Sequence, residues 1–162
     1  MEDACFGERE APLFSVLMPA YNHEEYVSEA LESVLGQGFR DLELIVIDDA
    51  SRDGTPRIVA DFAARDPRVR AYFHRKNHGI SKTLNEALDL ARGRFVAVIN
   101  SDDRWRKEKL CRQWEVLRRD EDLVVWTEGA LIDAGGRPLN MTFTEIYRAS
   151  GKPKSGDLLE TL

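Results

Sequence analysis

Cysteine is scarce in this chain: Cys5 and Cys111 are the only two in 162 residues. Two thiols without metal-ligand spacing make neither a disulfide framework nor a zinc motif, and a reducing compartment is expected. Long apolar runs are missing, and no stretch nears the roughly 20 residues of a membrane-spanning helix. Met1 to Ala11 is polar and acidic and lacks the apolar core of a secretion signal. A cytoplasmic location, at most peripheral at the inner face of the membrane, is therefore expected. A basic excess is also absent. The formal net charge is -6, so no nucleic-acid partner is expected. Anionic ligands stay open, because a metal ion supplies local positive charge. Histidine is rare, and His23, His74 and His78 show no pairing at metal spacing. His78 reads as a solvent-exposed loop residue. There is no internal repeat and no low-complexity tract.

What is present is an ordinary globular composition, 43% hydrophobic and 32% charged, long enough for one domain with a sizeable core. Apolar runs and helical stripes alternate. Leu13 to Met18 predicts a strand that Pro19 stops. Tyr26, Val27, Ala30, Leu31, Val34 and Leu35 fall at helical spacing from Glu25 on, ended by Gly36 and Gly38. Leu42 to Ile47 is a second strand, closed by Asp48 and Asp49. Thr55 is the expected cap of a helix with Pro56 at its first position. Its buried face is Ile58, Val59, Phe62 and Ala63. Val69 to Phe73 alternates, as an edge or half-buried strand should.

After the loop His74 to Gly79, Ser81 is the expected cap of a helix carrying Leu84, Ala87, Leu88 and Ala91. Gly93 is its expected left-handed stop. Arg94 to Ile99 reads as a buried parallel strand. Lys107 to Arg119 is helical, with Leu110, Cys111, Trp114 and Leu117 on one stripe. Leu123 to Trp126 predicts a further strand, and 130–139 a hairpin. Trp114 and Trp126 are expected in the core. Trp105 either packs over the loop before it or anchors a helix start. The expected organisation is a leader over 1–12, one domain over 13–140 and a poorly patterned tail over 141–162. Strand and helix in regular order predict an α/β fold with a mainly parallel sheet, helices on both faces and a hairpin at the end.

The chemistry sits where strands end. Asp102 and Asp103 close one strand, and Asp48 and Asp49 close another. Open α/β sheets bind ligands outside the carboxyl ends of their strands. Adjacent carboxylates there need a cation or strong donors to offset their repulsion. A divalent metal on a nucleotide's phosphates meets that need. Asp53, before Gly54, reads as a turn-former.

Three motifs share this rim in order: Ser15-Val16-Leu17-Met18-Pro19-Ala20-Tyr21-Asn22, Val46-Ile47-Asp48-Asp49-Ala50-Ser51-Arg52-Asp53-Gly54-Thr55, and Ile99-Asn100-Ser101-Asp102-Asp103-Arg104-Trp105. With Asn77-His78-Gly79-Ile80-Ser81 and Leu84-Asn85-Glu86-Ala87 between them, they resemble the family 2 inverting glycosyltransferases of GT-A fold. The resemblance covers roughly residues 13–140. It implies sugar transfer with inversion from a nucleoside diphosphate sugar, UDP-linked by preference, to an acceptor hydroxyl.

By the same resemblance, Pro19, Ala20, Tyr21 and Asn22 line the base pocket. Asp49 accepts a hydrogen bond from the base's ring N–H, with Asp48 close by. Gly79 lets backbone approach the nucleotide. Asn100, Ser101, Asp102 and Asp103 form the acidic motif, where Asp102 and Asp103 divide the ribose and Mn2+ or Mg2+ contacts. The family often has Asp where Asn100 stands, and an amide is a poorer metal ligand. Inversion also needs a general base for the acceptor. Glu145, Asp157 and Glu160 sit in no recognisable motif, so the base is expected beyond Leu162, together with the acceptor-binding part. Such a donor-binding portion exposes an apolar edge, and a homo-oligomer would cover it.

A non-catalytic nucleotide-sugar-binding module shares every motif, and the expected absence of the base favours it for this chain taken literally. Two further classes fit less well. A receiver-like signalling domain needs a lone phospho-accepting Asp and a Lys after the last strand. A nucleotidyltransferase needs a Gly-rich basic loop after the first strand, which Pro19 to Asn22 is not.

Overall fold

A computed structural model describes residues 11–133, 135–142 and 145. Residues 1–10 of the expected leader, with Cys5, and most of the expected tail, with Asp157 and Glu160, lie outside the described residues. The chain divides into two compact units, Met1–Trp114 and Glu115–Leu162.

The first unit is built on a parallel sheet. Its strands are β1 (Phe14–Ala20), β2 (Leu42–Asp48), β3 (Val69–Phe73) and β4 (Phe95–Val98), in the order β3-β2-β1-β4. Helices α1 (Val27–Leu35), α2 (Thr55–Arg65) and α3 (Ile80–Asp89) connect them, and α4 (Lys109–Leu117) follows. The sequence expectation of a mainly parallel α/β sheet is met. Right-handed crossovers send β2 and β3 to one side of β1 and β4 to the other, so helices cover both faces. On one face Ala87 and Leu84 of α3 pack on Leu17, Ile45 and Ile47. On the other, α1 turns Val27, Ala30, Leu31 and Val34 inward, all fully buried. Each of the valines and the leucine contributes roughly 2 kcal/mol of burial. No helix of the described residues is long and apolar enough to cross a membrane.

Several details correct the sequence reading. Pro19 does not stop β1, which runs on to Ala20. The carbonyls of Leu13 and Leu17 accept from Phe95 and Ile99 on the β4 side, whereas that of Ala20 accepts from Asp49 on the β2 side. Odd-numbered residues of β1 therefore turn their backbone groups to β4 and even-numbered ones to β2. Pro19, lacking an N–H, removes a rung toward β4 alone. Accordingly β1 pairs with β2 as far as Ala20↔Asp48, but with β4 only as far as Leu17↔Val98.

Strand β4 was expected to be buried on both faces. Instead Val96 and Val98 are exposed, while α3 packs chiefly over β1 and β2. Gly93 is not left-handed, as only Gly79 and Gly136 are among the described glycines. It is small because β1 passes against it: a Cβ there would lie 2.5 Å from the Ser15 nitrogen. Neither expected cap caps. Asp53 takes the Thr55 N–H at 3.0 Å. Helix α3 starts at Ile80 behind Gly79, so Ser81 falls inside its first turn. The backbone N–H of Trp105 donates to Ser33 of α1 at 3.1 Å, and Lys109, at the start of α4, lies over its ring. Trp114 packs against Phe39 and Phe95 as core.

At the amino end of the sheet, Glu43 is buried and fully engaged. It accepts from Ser15 at 2.7 Å, from Arg70 at 2.8 Å, and from the backbone and guanidinium of Arg92. Burial pushes this carboxyl up, but the hydrogen bonds outweigh it and hold Glu43 at about 2.

In the second unit, β5 (Ala130–Ile132) and β6 (Pro138–Thr142) form the expected antiparallel hairpin. The strand expected over Leu123 to Trp126 is absent. A strand persists only against a partner ladder, and β5 and β6 pair with each other. Val124 and Trp126 are exposed, so Trp126 is not core.

Candidate functional site

The strand order reverses between β1 and β4, and the crevice at the carboxyl ends there is where such sheets bind ligands. Four segments leave this rim: Tyr21 to Glu24 after β1, Asp49 to Gly54 after β2, His74 to Gly79 after β3, and Ile99 to Asp103 after β4.

The first two segments are bonded together. Asn22 N donates to Ser51 Oγ at 2.9 Å, and its Oδ1 accepts from Arg52 N at 2.8 Å. His23 N donates to Thr55 Oγ1, and Glu24 N to Asp53 Oδ2. The carboxylate of Glu24 accepts in return from Gly54 N. Asp53 is thus a turn-former, as expected. Asn22 and Ala50 both hold positive φ, 52° and 62°. Pro19 and Ala20 are buried, while Tyr21 is exposed over the rim.

The acidic motif joins this pair through His23. Its Nδ1 lies 2.8 Å from the hydroxyl of buried Ser101, and its Nε2 lies 3.9 Å from Asp102 Oδ2. Asp102 and Asp103 are exposed. Asn100, where the family often has Asp, donates from Nδ2 to Asp103 Oδ2 at 3.0 Å. Its amide therefore orients a carboxylate.

Asp48 and Asp49 are both buried. Asp48 Oδ1 accepts from Ser51 N, and its Oδ2 has no partner among the described residues. Asp49 is more fully held. Its Oδ1 accepts from His78 N at 2.8 Å and faces His74 Nδ1 at 2.7 Å. Its Oδ2 accepts from Gly79 N at 2.8 Å, made possible by the left-handed φ of 85° at Gly79. Burial pushes Asp49 up, but these hydrogen bonds outweigh it and lower its pKa.

His74 continues to Glu86 of α3, with Nε2 at 2.6 Å. The His78 ring lies 4.4 Å from that of His74. Asp49, His74 and His78 offer ligand atoms all within 4.8 Å of one another. Both His74 ring nitrogens are taken, by Asp49 and Glu86, whereas His78 Nδ1 is buried without a hydrogen-bond partner among the described residues. His78 is half-buried here, not an exposed loop residue.

The structure therefore brings Pro19 to Asn22, Asp48, Asp49, Gly79 and Asn100 to Asp103 to one rim. Sequence reasoning missed His23, His74 and Glu86. Ligand spacing detects neighbours in sequence, and these three meet partners across the fold. The available signal was that His74 ends a parallel strand, on the same rim as Asp49.

Residues 15–157 match the family model for glycosyl transferase family 2. This chain belongs to that family. A Bacillus subtilis glycosyltransferase named for teichuronic acid biosynthesis, TuaG, is 36% identical over 129 residues, covering 80% of this chain and 51% of TuaG. The Escherichia coli chondroitin synthase is 36% identical over 79% of this chain and 19% of its own length. Among solved structures, Staphylococcus aureus TarS in complex with UDP-GlcNAc superposes with a TM-score of 0.63 at 34% identity, covering 67% of this chain and 32% of that chain. A Pyrobaculum calidifontis mannosyltransferase with GDP-Man and Mn2+ gives 0.62 at 26% identity, covering 76% and 36%. The family 2 chain described here spans about half the length of the first of these relatives.

Proposed function

We propose that this chain binds the donor of a sugar transfer, a nucleoside diphosphate sugar with a UDP-linked one favoured, and serves an inverting transfer to an acceptor hydroxyl. One observation carries the reading: Asp49, the loop Pro19 to Asn22 and the acidic motif converge on one rim, at the point where the strand order reverses. The family assignment supports sugar-transfer chemistry at that rim.

In this reading Tyr21 and Asn22 border the base. Asp49 recognises it, since Oδ2 has a single donor and a carboxylate oxygen accepts two. Asp48 Oδ2 is a second buried acceptor close by. Gly79 presents open space, with nothing within 4 Å of a would-be Cβ. The donor set at Asp102 and Asp103 fits Mg2+ or Mn2+, being exposed carboxylate oxygens that leave room for water and phosphate. A divalent ion bound there supplies charge neutralisation for the leaving diphosphate. Asn100 positions Asp103, Ser101 anchors the loop, and His23 links it to the β1 loop. Glu145 is occupied with Thr142 N and Oγ1 and is not assigned as the general base.

The test is calorimetric titration of UDP into the chain with and without Mn2+, on wild type, Asp103→Ala and Asp49→Ala, with GDP as competitor. The expected result is Mn2+-dependent UDP binding that Asp103→Ala removes, with a UDP-over-GDP preference that Asp49→Ala erases. A folded chain that binds neither nucleotide would sink the reading.

A further inference from the structure

Asp49 stands on a loop, where a carboxylate has two free torsions and no intrinsic reason to hold one direction. Its backbone donors, His78 N and Gly79 N, come from the β3–α3 loop. Its side-chain donor among the described contacts is His74, whose own backbone N–H is fixed on Asp48 O at 2.9 Å. The far side of the His74 ring meets Glu86, on the second turn of α3. The result is a carboxylate–imidazole–carboxylate chain running from the donor rim to the partly exposed Glu86 of α3.

We propose that His74 is a positioning residue for donor binding: its imidazolium, held between Asp49 and Glu86, fixes the Asp49 carboxylate so that the unspent side of Oδ2 faces the nucleotide base. The inference rests on the proposed role of Asp49 in base recognition.

Both ring nitrogens of a histidine donate only in the cationic form. A neutral ring at this place would turn a lone pair on one carboxylate. The charged groups around the ring favour the cation: Asp49 after β2 and Glu86 on α3 carry negative charge against it. Lys82, also on α3, is 4.0 Å from Glu86, and His78 stacks from the loop. Burial lowers the His74 pKa, but its bonds to Asp49 and Glu86 outweigh burial and raise it. As pH climbs through that raised value, one N–H is lost, and with it the rigid Asp49.

The experiment titrates UDP with Mn2+ into the 162-residue chain at two pH values, one below and one above the His74 midpoint read by NMR, on wild type, His74→Gln and Glu86→Gln. Affinities are read as the ratio to His74→Gln at the same pH, which cancels the ionisation of UDP itself. Wild type should lose about fivefold by this ratio at the higher pH, the size of one charge-assisted hydrogen bond. Glu86→Gln should level the profile, because an amide at position 86 donates to the ring lone pair that a carboxylate repels. In parallel, the His74 ring nitrogens are titrated by NMR in the free chain, and both should remain protonated above the usual histidine range. UDP binding with a flat ratio in wild type, or a ring that titrates as free histidine, overturns the inference while leaving the donor site standing. No UDP binding at either pH beside a high-titrating ring overturns the donor reading and takes the inference with it.

Discussion

The Ser101 hydroxyl lies 2.8 Å from Nδ1 of His23, across 78 positions of sequence. It is the hydrogen bond described here that joins the acidic motif to the loop after β1, and both partners are at least half-buried. Ser101→Ala leaves the imidazole nitrogen without its partner, a loss of about 1 kcal/mol. Manganese-dependent UDP binding should weaken about fivefold by calorimetry, with metal-free binding changed less. Equal weakening with and without metal would show that the bond supports the fold and not the acidic loop.

Glu43 makes stability depend on acid. Its folded pKa of about 2 lies below the ordinary 4.5. The stabilisation is therefore complete above pH 4.5 and is lost as pH falls toward 2, and it amounts to about 3 kcal/mol. Glu43→Gln should destabilise by about that much in urea melts at pH 7, since two arginines lose their shared anion. The gap between variant and wild type should narrow at pH 3. A gap that holds constant across that range would contradict the assignment.

Ala50 holds φ of 62° in the loop after β2, which is bonded to the loop after β1. A side chain there costs about 1 kcal/mol that glycine does not. Ala50→Gly should raise the melting temperature by a few degrees, measured by differential scanning calorimetry, with UDP affinity unchanged or improved.

Gly93 and Gly79 should respond differently to alanine. At Gly93 the new methyl would meet backbone of the central strand, Ser15 N at 2.5 Å and Phe14 C at 2.7 Å. Neither atom can move without breaking β1 pairing, so Gly93→Ala should cost 3 kcal/mol or more, roughly, or prevent folding. At Gly79 there is space but a φ of 85°, so Gly79→Ala should cost about 1–2 kcal/mol and act on the rim. Urea melts and UDP titration separate the two.

The sheet and the rim were legible because period and punctuation agree. Leu42 to Ile47 is apolar apart from Glu43, as suits a central parallel strand, and Asp48 and Asp49 mark its ligand-binding end. Capping was misread because Asp53, Thr55 and Ser81 are all competent caps by type. Only the path of the loop decides which oxygen reaches which N–H. The ring of His74 was invisible for a different reason. A linear spacing rule cannot see that β3 ends beside β2, where Asp49 meets it, or that α3 folds back to bring Glu86 within 2.6 Å. The missing strand at Leu123 to Trp126 shows the converse limit, since an apolar run says nothing about whether a partner edge exists.

Pro19 has a consequence for the shape of the crevice. Its imide nitrogen forks the sheet: one neighbour stays laced to β1 through Ala20, and the other is released after Ile99. The cleft between the loops after β1 and β4 thus begins at a covalent feature of the main chain. Substitutions in the lining can change what the cleft holds, but they cannot zip it shut by extending that ladder. Replacing Pro19 with a residue that carries an N–H supplies the missing tooth.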